Sequence, residues 1–211
     1  MNGEEWLRAP IAGFGLTLLA YYPMFLLHRK YRRIHPLFLT CALLVPLLLL
    51  LDIPIQSYNA GGEMISFWLG PATVALGVPI YKQYRLIRAR MLPIAAVIAF
   101  GCIASIAGGL LSAWLLGCSR EMARSLAVKG VTTPISMDLA VQTGGNPELA
   151  AVFAVLSGLA GSLLGPSVLR WCRVRTDLSR GLAMGTLAHG IGTARMIRES
   201  ETAGGVSGFA M

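Results

Sequence analysis

Apolar residues fill five long runs of the chain, at 9–27, 37–55, 64–81, 91–118 and 149–169, and polar residues gather in the short segments between them. About 20 mostly apolar residues carry a helix across the hydrocarbon core of a bilayer, so each run predicts a spanning helix. The second carries Asp52 near its end, and the third is uncharged but interrupted by Gly70-Pro71 and Val78-Pro79. The fourth is long enough to tilt or to run past the interface. Two further apolar stretches, 131–137 and 181–194, are too short to span as regular helices. The expected fold is an all-α integral membrane protein, with five or more transmembrane helices and broken or re-entrant segments in a single domain of residues 1–211. Glu4 and Glu5 stand where a signal peptide would be basic, so the first run is read as a mature helix.

Composition agrees with this pattern. Of the 211 residues, 55% are hydrophobic and only 13% charged. Soluble domains carry about 25% charged residues, so most of this surface has to face lipid. A net charge of +8 raises the question of nucleic acid. The basic residues, however, sit in short loops between apolar runs, as in a bilayer protein. The bilayer is therefore the expected partner, and nucleic acid is excluded.

Those loops set the orientation. Basic residues cluster at 29–33, 82–90 and 170–180, whereas 56–62 has none. The positive-inside rule places the three clusters in the cytoplasm and the N-terminus outside. The fourth run then leads outward and the fifth inward, so residues 119–147 begin and end on the outer side. Within them lies the apolar piece 131–137, which predicts a segment that dips into the protein and returns. Non-helical backbone at membrane depth is tolerated where it is buried in protein or lines a wet cavity. Arg120, Arg124 and Lys129 run against the charge rule in this loop.

A faint internal repeat points the same way. Gly101, Ala104 and Gly108 match Gly158, Gly161 and Gly165 at a constant offset. A Thr/Pro/Gly-rich break precedes each set, at residues 70–73 and 130–134. Repeat halves at about 60–118 and 119–211 follow, and paired breaks of this kind mark transporter sites near the midplane. Small residues also recur in any helix that packs closely.

The chain has no GxSxG, HExxH or phosphate-loop motif. The cysteines at 41, 102, 118 and 172 show no metal or disulfide spacing, so no enzyme activity, cofactor or metal is expected. His28 and His35 flank the first basic loop at headgroup level. His189 lies amid Gly, Thr and Ala, and an ionisable group at membrane depth is a functional candidate by default. It would bind substrate or couple a proton, or else hold a break in shape through a backbone carbonyl. Arg195 would clamp a carboxylate or snorkel to the interface. Thr73, Thr132, Thr133, Thr186 and Thr193 lie at or near breaks, where hydroxyls and free N–H groups suit a small anion; the alternative is back-bonding within their own helices. Asp138 is a candidate ion or proton site, or a helix-end residue facing water. Thr73, Thr132, Thr133, His189 and Arg195 are expected to line one cavity.

Several of these segments resemble the LrgB/CidB family, which also takes in YohK-like proteins and a plastidal glycolate/glycerate transporter of plants. The matching motifs are Leu69 to Tyr81, Val131-Thr-Thr-Pro-Ile135, Gly144-Gly145 with Pro147, Gly165-Pro166, and Gly181-Leu-Ala-Met-Gly-Thr-Leu-Ala-His-Gly-Ile-Gly-Thr-Ala-Arg195. The first two runs match in hydropathy alone. Family members usually continue past the counterpart of residues 205–211 into a final apolar helix, which is absent here. The resemblance implies a bacterial inner-membrane protein, self-associating, with a small LrgA/CidA-like membrane partner. It implies carriage of small carboxylates such as glycolate, glycerate or pyruvate, or else holin/antiholin-like modulation of murein hydrolases and lysis.

Overall fold

The computed structural model describes residues 10–30 and 36–211. Glu4, Glu5, Arg32, Arg33 and His35 lie outside the described residues. Every regular element among the described residues is helical. The chain divides into two compact units, Met1–Ala75 and Leu76–Met211.

In the first unit, α1 (Pro10–Lys30) packs on α2 (Pro36–Leu50) and α3 (Ile55–Ser66). Gly13 permits the closest approach, since a Cβ there would lie 2.6 Å from the Tyr58 carbonyl oxygen. One turn on, the Thr17 and Tyr58 hydroxyls hydrogen-bond at 2.9 Å. The second apolar run forms a 15-residue helix and then turns through Asp52, whose φ is 49°.

The third run becomes α3 followed by α4 (Leu69–Lys82). The break expected at Gly70-Pro71 falls instead at Phe67-Trp68, and α4 runs through both residues. Pro71 is tolerated there because N–H groups in the first turn of a helix have no intrahelical partner. Ile11–Arg29, Ile55–Lys82, Met91–Leu115 and Pro147–Trp171 are each long and apolar enough to cross a membrane.

In the second unit, α5 (Tyr84–Ala89) leads into the 25-residue α6 (Met91–Leu115). The segment expected to be re-entrant is a pair of short helices, α7 (Arg120–Ala127) and α8 (Thr133–Thr143). α7 doubles back along α6: a Cβ on Gly109 would lie 3.3 Å from the Leu126 carbonyl oxygen. Lys129, further along, reaches Ser105 near the middle of α6. α8 then packs on α9 (Pro147–Trp171). It ends at Gly144, whose φ of 71° a side-chain-bearing residue rarely adopts. The Asn146 N–H donates to Ser125 Oγ at 2.8 Å and closes the base of this hairpin.

The last part is a second hairpin. α10 (Asp177–Glu199) is two helical pieces joined at His189, where φ is 35° and ψ is −134° and the chain reverses. Residues 177–188 run antiparallel to α9, with Met184, Ala188 and His189 against Gly165, Gly161 and Gly158 in turn. Residues 190–199 return to the starting level, where Arg180 pairs with Glu199 and the Ser200 hydroxyl donates to Asp177. From there α11 (Glu201–Ala210) runs beside residues 177–188. Gly181 and Gly185 meet the backbone of Ala203 and Ser207 there.

Burial is inverted relative to a water-soluble domain. Phe100, Trp114 and Leu92 of α6 are 75%, 76% and 83% exposed, while Ser125, Ser136, Thr193 and Ser207 are fully buried. Large apolar side chains outside and hydrogen-bonded polar groups inside fit lipid as the solvent.

Candidate functional site

His189 Nε2 lies 2.8 Å from the carbonyl oxygen of Ala154 on α9, and the residue is 4% exposed. The hydrogen bond makes Nε2 the donor. The ring fits because Gly158 has no side chain: a Cβ there would sit 2.7 Å from His189 Cε1. His189 therefore forms the tip of its hairpin and pins that tip to α9 about two turns from the start of that helix. This is the structural alternative stated above, a histidine bonded to a backbone carbonyl at a break.

The tip of the other hairpin holds Lys129, Gly130, Thr132 and Thr133. Thr132 is the N-cap of α8 but makes no side-chain cap, which leaves first-turn N–H groups of α8 unpaired. Thr132 and Thr133 are half-buried. The Ser136 hydroxyl donates to the Ala150 carbonyl at 3.2 Å. Ala150 and Ala154 are four residues apart, so α8 and His189 engage consecutive turns of one face of α9.

The same coincidence recurs on α6. The Lys129 ammonium donates to the Ser105 carbonyl at 3.2 Å. A Cβ on Gly101, one turn away, would lie 2.9 Å from the Thr186 methyl. Two hairpins thus end on adjacent turns of α6, near its middle, and on adjacent turns in the first third of α9. His189, Thr132 and Thr133 belong to these two tips.

The remaining candidates lie elsewhere. Arg195 Nε donates to Glu199 Oε1 at 2.8 Å on its own helix, and its side chain is 46% exposed. Glu199 in turn pairs with Arg180 at the hairpin base. Asp138 is exposed, two positions beyond the buried Ser136 and so on the opposite side of α8. Thr73 lies in the first unit, where it is exposed and its hydroxyl donates to the Leu69 carbonyl. Thr193 exchanges a 2.9 Å hydrogen bond with Ser207. A half-open cavity of about 420 Å³ is lined by Arg170, Arg173, Val174, Arg175 and Arg180 at the hairpin base.

Sequence reasoning missed Lys129. It entered only as a charge on the wrong side of a topology, yet it stands next to the Gly/Thr/Pro break. That juxtaposition was the available signal.

A family model described as the LrgB-like family matches residues 17–211. The chain belongs to the LrgB family. This LrgB-family protein is 38% identical to uncharacterized protein YwbG of Bacillus subtilis, over 95% of this chain and 90% of YwbG. It is 33% identical to uncharacterized protein YxaC of the same organism, over 93% and 86%. Antiholin-like protein LrgB of Bacillus mycoides is 29% identical, over 96% and 89%. No solved structure matches the chain.

Proposed function

We propose that this LrgB-family protein carries small carboxylates of the glycolate, glycerate or pyruvate class across a bacterial inner membrane, with its N-terminus outside and no enzymatic chemistry. The observation behind the reading is the pair of hairpins ending on adjacent turns of α6 and α9. Irregular backbone at that depth supplies the free N–H groups and hydroxyls that replace the water around an anion. A protein that acts only by oligomerising in the membrane needs no such tips. His189, Thr132 and Thr133 stand in the proposed path. Arg195 and the arginine-lined cavity would receive the anion on the cytoplasmic side, and Asp138 remains a proposed coupling group. A small LrgA/CidA-like membrane protein and further copies of this chain are the proposed partners.

A second reading is that the protein is an antiholin-like modulator of murein hydrolase activity and lysis. The name of the Bacillus mycoides relative favours it, and the comparisons support it more directly than they support a carrier. Purified protein in liposomes separates the two. Saturable uptake of glycolate or pyruvate, lost in His189→Ala and Thr133→Val while both variants insert and fold, supports the carrier. Non-selective dye release without saturable uptake overturns it.

A further inference from the structure

Four threonines inside helices of this protein satisfy their hydroxyls locally. Thr17, Thr40, Thr73 and Thr143 each donate to the carbonyl four residues back, at 2.7–2.8 Å. Thr186 does not. Its Oγ1 is buried without a hydrogen-bond partner among the described residues, and the residue is 7% exposed. Its methyl group points at Gly101. A buried hydroxyl left unpaired costs about 1–3 kcal/mol, so a group that bonds it would be held firmly.

Lys129 is unsatisfied in a different way. An ammonium has three donors, and the one bond shown is to the Ser105 carbonyl. Among the described residues no carboxylate lies within ion-pair distance of it, although the charge is drawn in against Gly109. Gly101, Ser105 and Gly109 follow one another at four-residue steps, about 6 Å each, along one ridge of α6. The cation, between the Ser105 carbonyl and Gly109, and Thr186, at Gly101, therefore reach the same ridge about one to two turns apart, from opposite hairpins. The unpaired N–H groups at the start of α8 lie a few residues beyond Lys129.

We propose that Lys129 and Thr186, set about one to two turns apart on the Gly101–Ser105–Gly109 ridge of α6, form with the uncapped start of α8 the binding site for the transported anion, with Lys129 at its carboxylate end and Thr186 at its other end. The site deepens the carrier reading and rests on it for its substrate class. Lys129 supplies the charge and, with the α8 N–H groups, holds the carboxylate, while Thr186 donates its free hydroxyl to the oxygen at the other end of the anion. His189, already bonded to Ala154, positions the hairpin that brings Thr186 to the ridge.

The test measures binding apart from transport. Glycolate, and its neutral amide as control, are titrated calorimetrically into the purified full-length protein in detergent, and uptake is followed separately in liposomes. The wild type is expected to bind glycolate and discriminate against the amide. Lys129→Gln should weaken glycolate binding by about 10- to 100-fold, the range for a charged hydrogen bond, and abolish the discrimination. Lys129→Arg should restore part of it, and Thr186→Val should weaken binding about 5- to 10-fold, as for one neutral hydrogen bond. Melting temperatures identify any variant that fails to fold. A purely structural lysine would change the melting temperature and leave the acid-over-amide preference intact in the folded variant, which overturns the proposal. Absence of glycolate, glycerate and pyruvate binding in the wild type overturns it too. Binding with the expected variant pattern but without uptake upholds the site and sinks the carrier reading.

Discussion

At the scale of single residues, His189 does two things that oppose each other. Its φ of 35° is a conformation that side-chain-bearing residues avoid, while its ring bonds the Ala154 carbonyl in the space left by Gly158. Strained backbone costs about 1–3 kcal/mol, and the anchoring bond returns about 1 kcal/mol. The two costs can be separated by mutation. His189→Ala keeps the strain and loses the bond, so it should be the less stable variant, by about 1 kcal/mol or more. His189→Gly loses the bond but relaxes the backbone, and should melt close to wild type. Thermal unfolding in one detergent checks the order; equal melting temperatures for the two variants would show that the reversal at 189 stores no strain.

At the scale of elements, glycine decides which helices can touch. α11 lies so close to residues 177–188 that a Cβ on Gly185 would come 2.2 Å from the Ser207 carbonyl oxygen, and one on Gly181 2.5 Å from that of Ala203. Backbone cannot step aside as a flexible side chain can. Gly185→Ala should therefore destabilise the second unit by about 1–3 kcal/mol, the usual cost of overpacking. Gly70 in α4 has nothing within 4 Å of such a Cβ. Gly70→Ala should leave stability unchanged or raise it by up to about 1 kcal/mol, because alanine is the better helix former. The fraction of monodisperse protein and the melting temperature of the two variants make the comparison. Gly158, Gly161 and Gly165 all receive the second hairpin and Gly101 receives Thr186, whereas Gly108 faces open space and its neighbour Gly109 receives Lys129.

At the scale of the molecule, the open question is orientation, and two native cysteines report on it. Cys118 lies in the turn between α6 and α7, and Cys172 is exposed at the end of α9 among arginines. The positive-inside rule puts the 170–180 loop in the cytoplasm. With Cys41 and Cys102 replaced by Ala, an impermeant maleimide should label Cys118 from outside intact cells and Cys172 only after permeabilisation. The reverse pattern would invert the topology and place the arginine-lined cavity outside. Either orientation keeps the two hairpins on opposite sides, since one closes beside the α6–α7 turn and the other beside the end of α9.

Hydropathy along the chain determined the helices, their approximate ends and the existence of two apolar stretches too short to span. These follow from the cost of leaving backbone polar groups unpaired in lipid, a property each segment has by itself. The Gly130–Pro134 break was legible for the same reason, because proline and glycine limit their own backbone. The Gly70-Pro71 break was misplaced, since a proline in the first turn of a helix costs no hydrogen bond. Only the tertiary structure decided that residues 181–194 belong to a hairpin reversing at His189. Its partner atom lies 35 residues away on Ala154, and the space for its ring depends on the absence of a side chain at Gly158. The pairing of Lys129 with the ridge that Thr186 also meets is of the same kind. It depends on where two hairpins stop along a third helix, and no periodicity within one segment carries that distance.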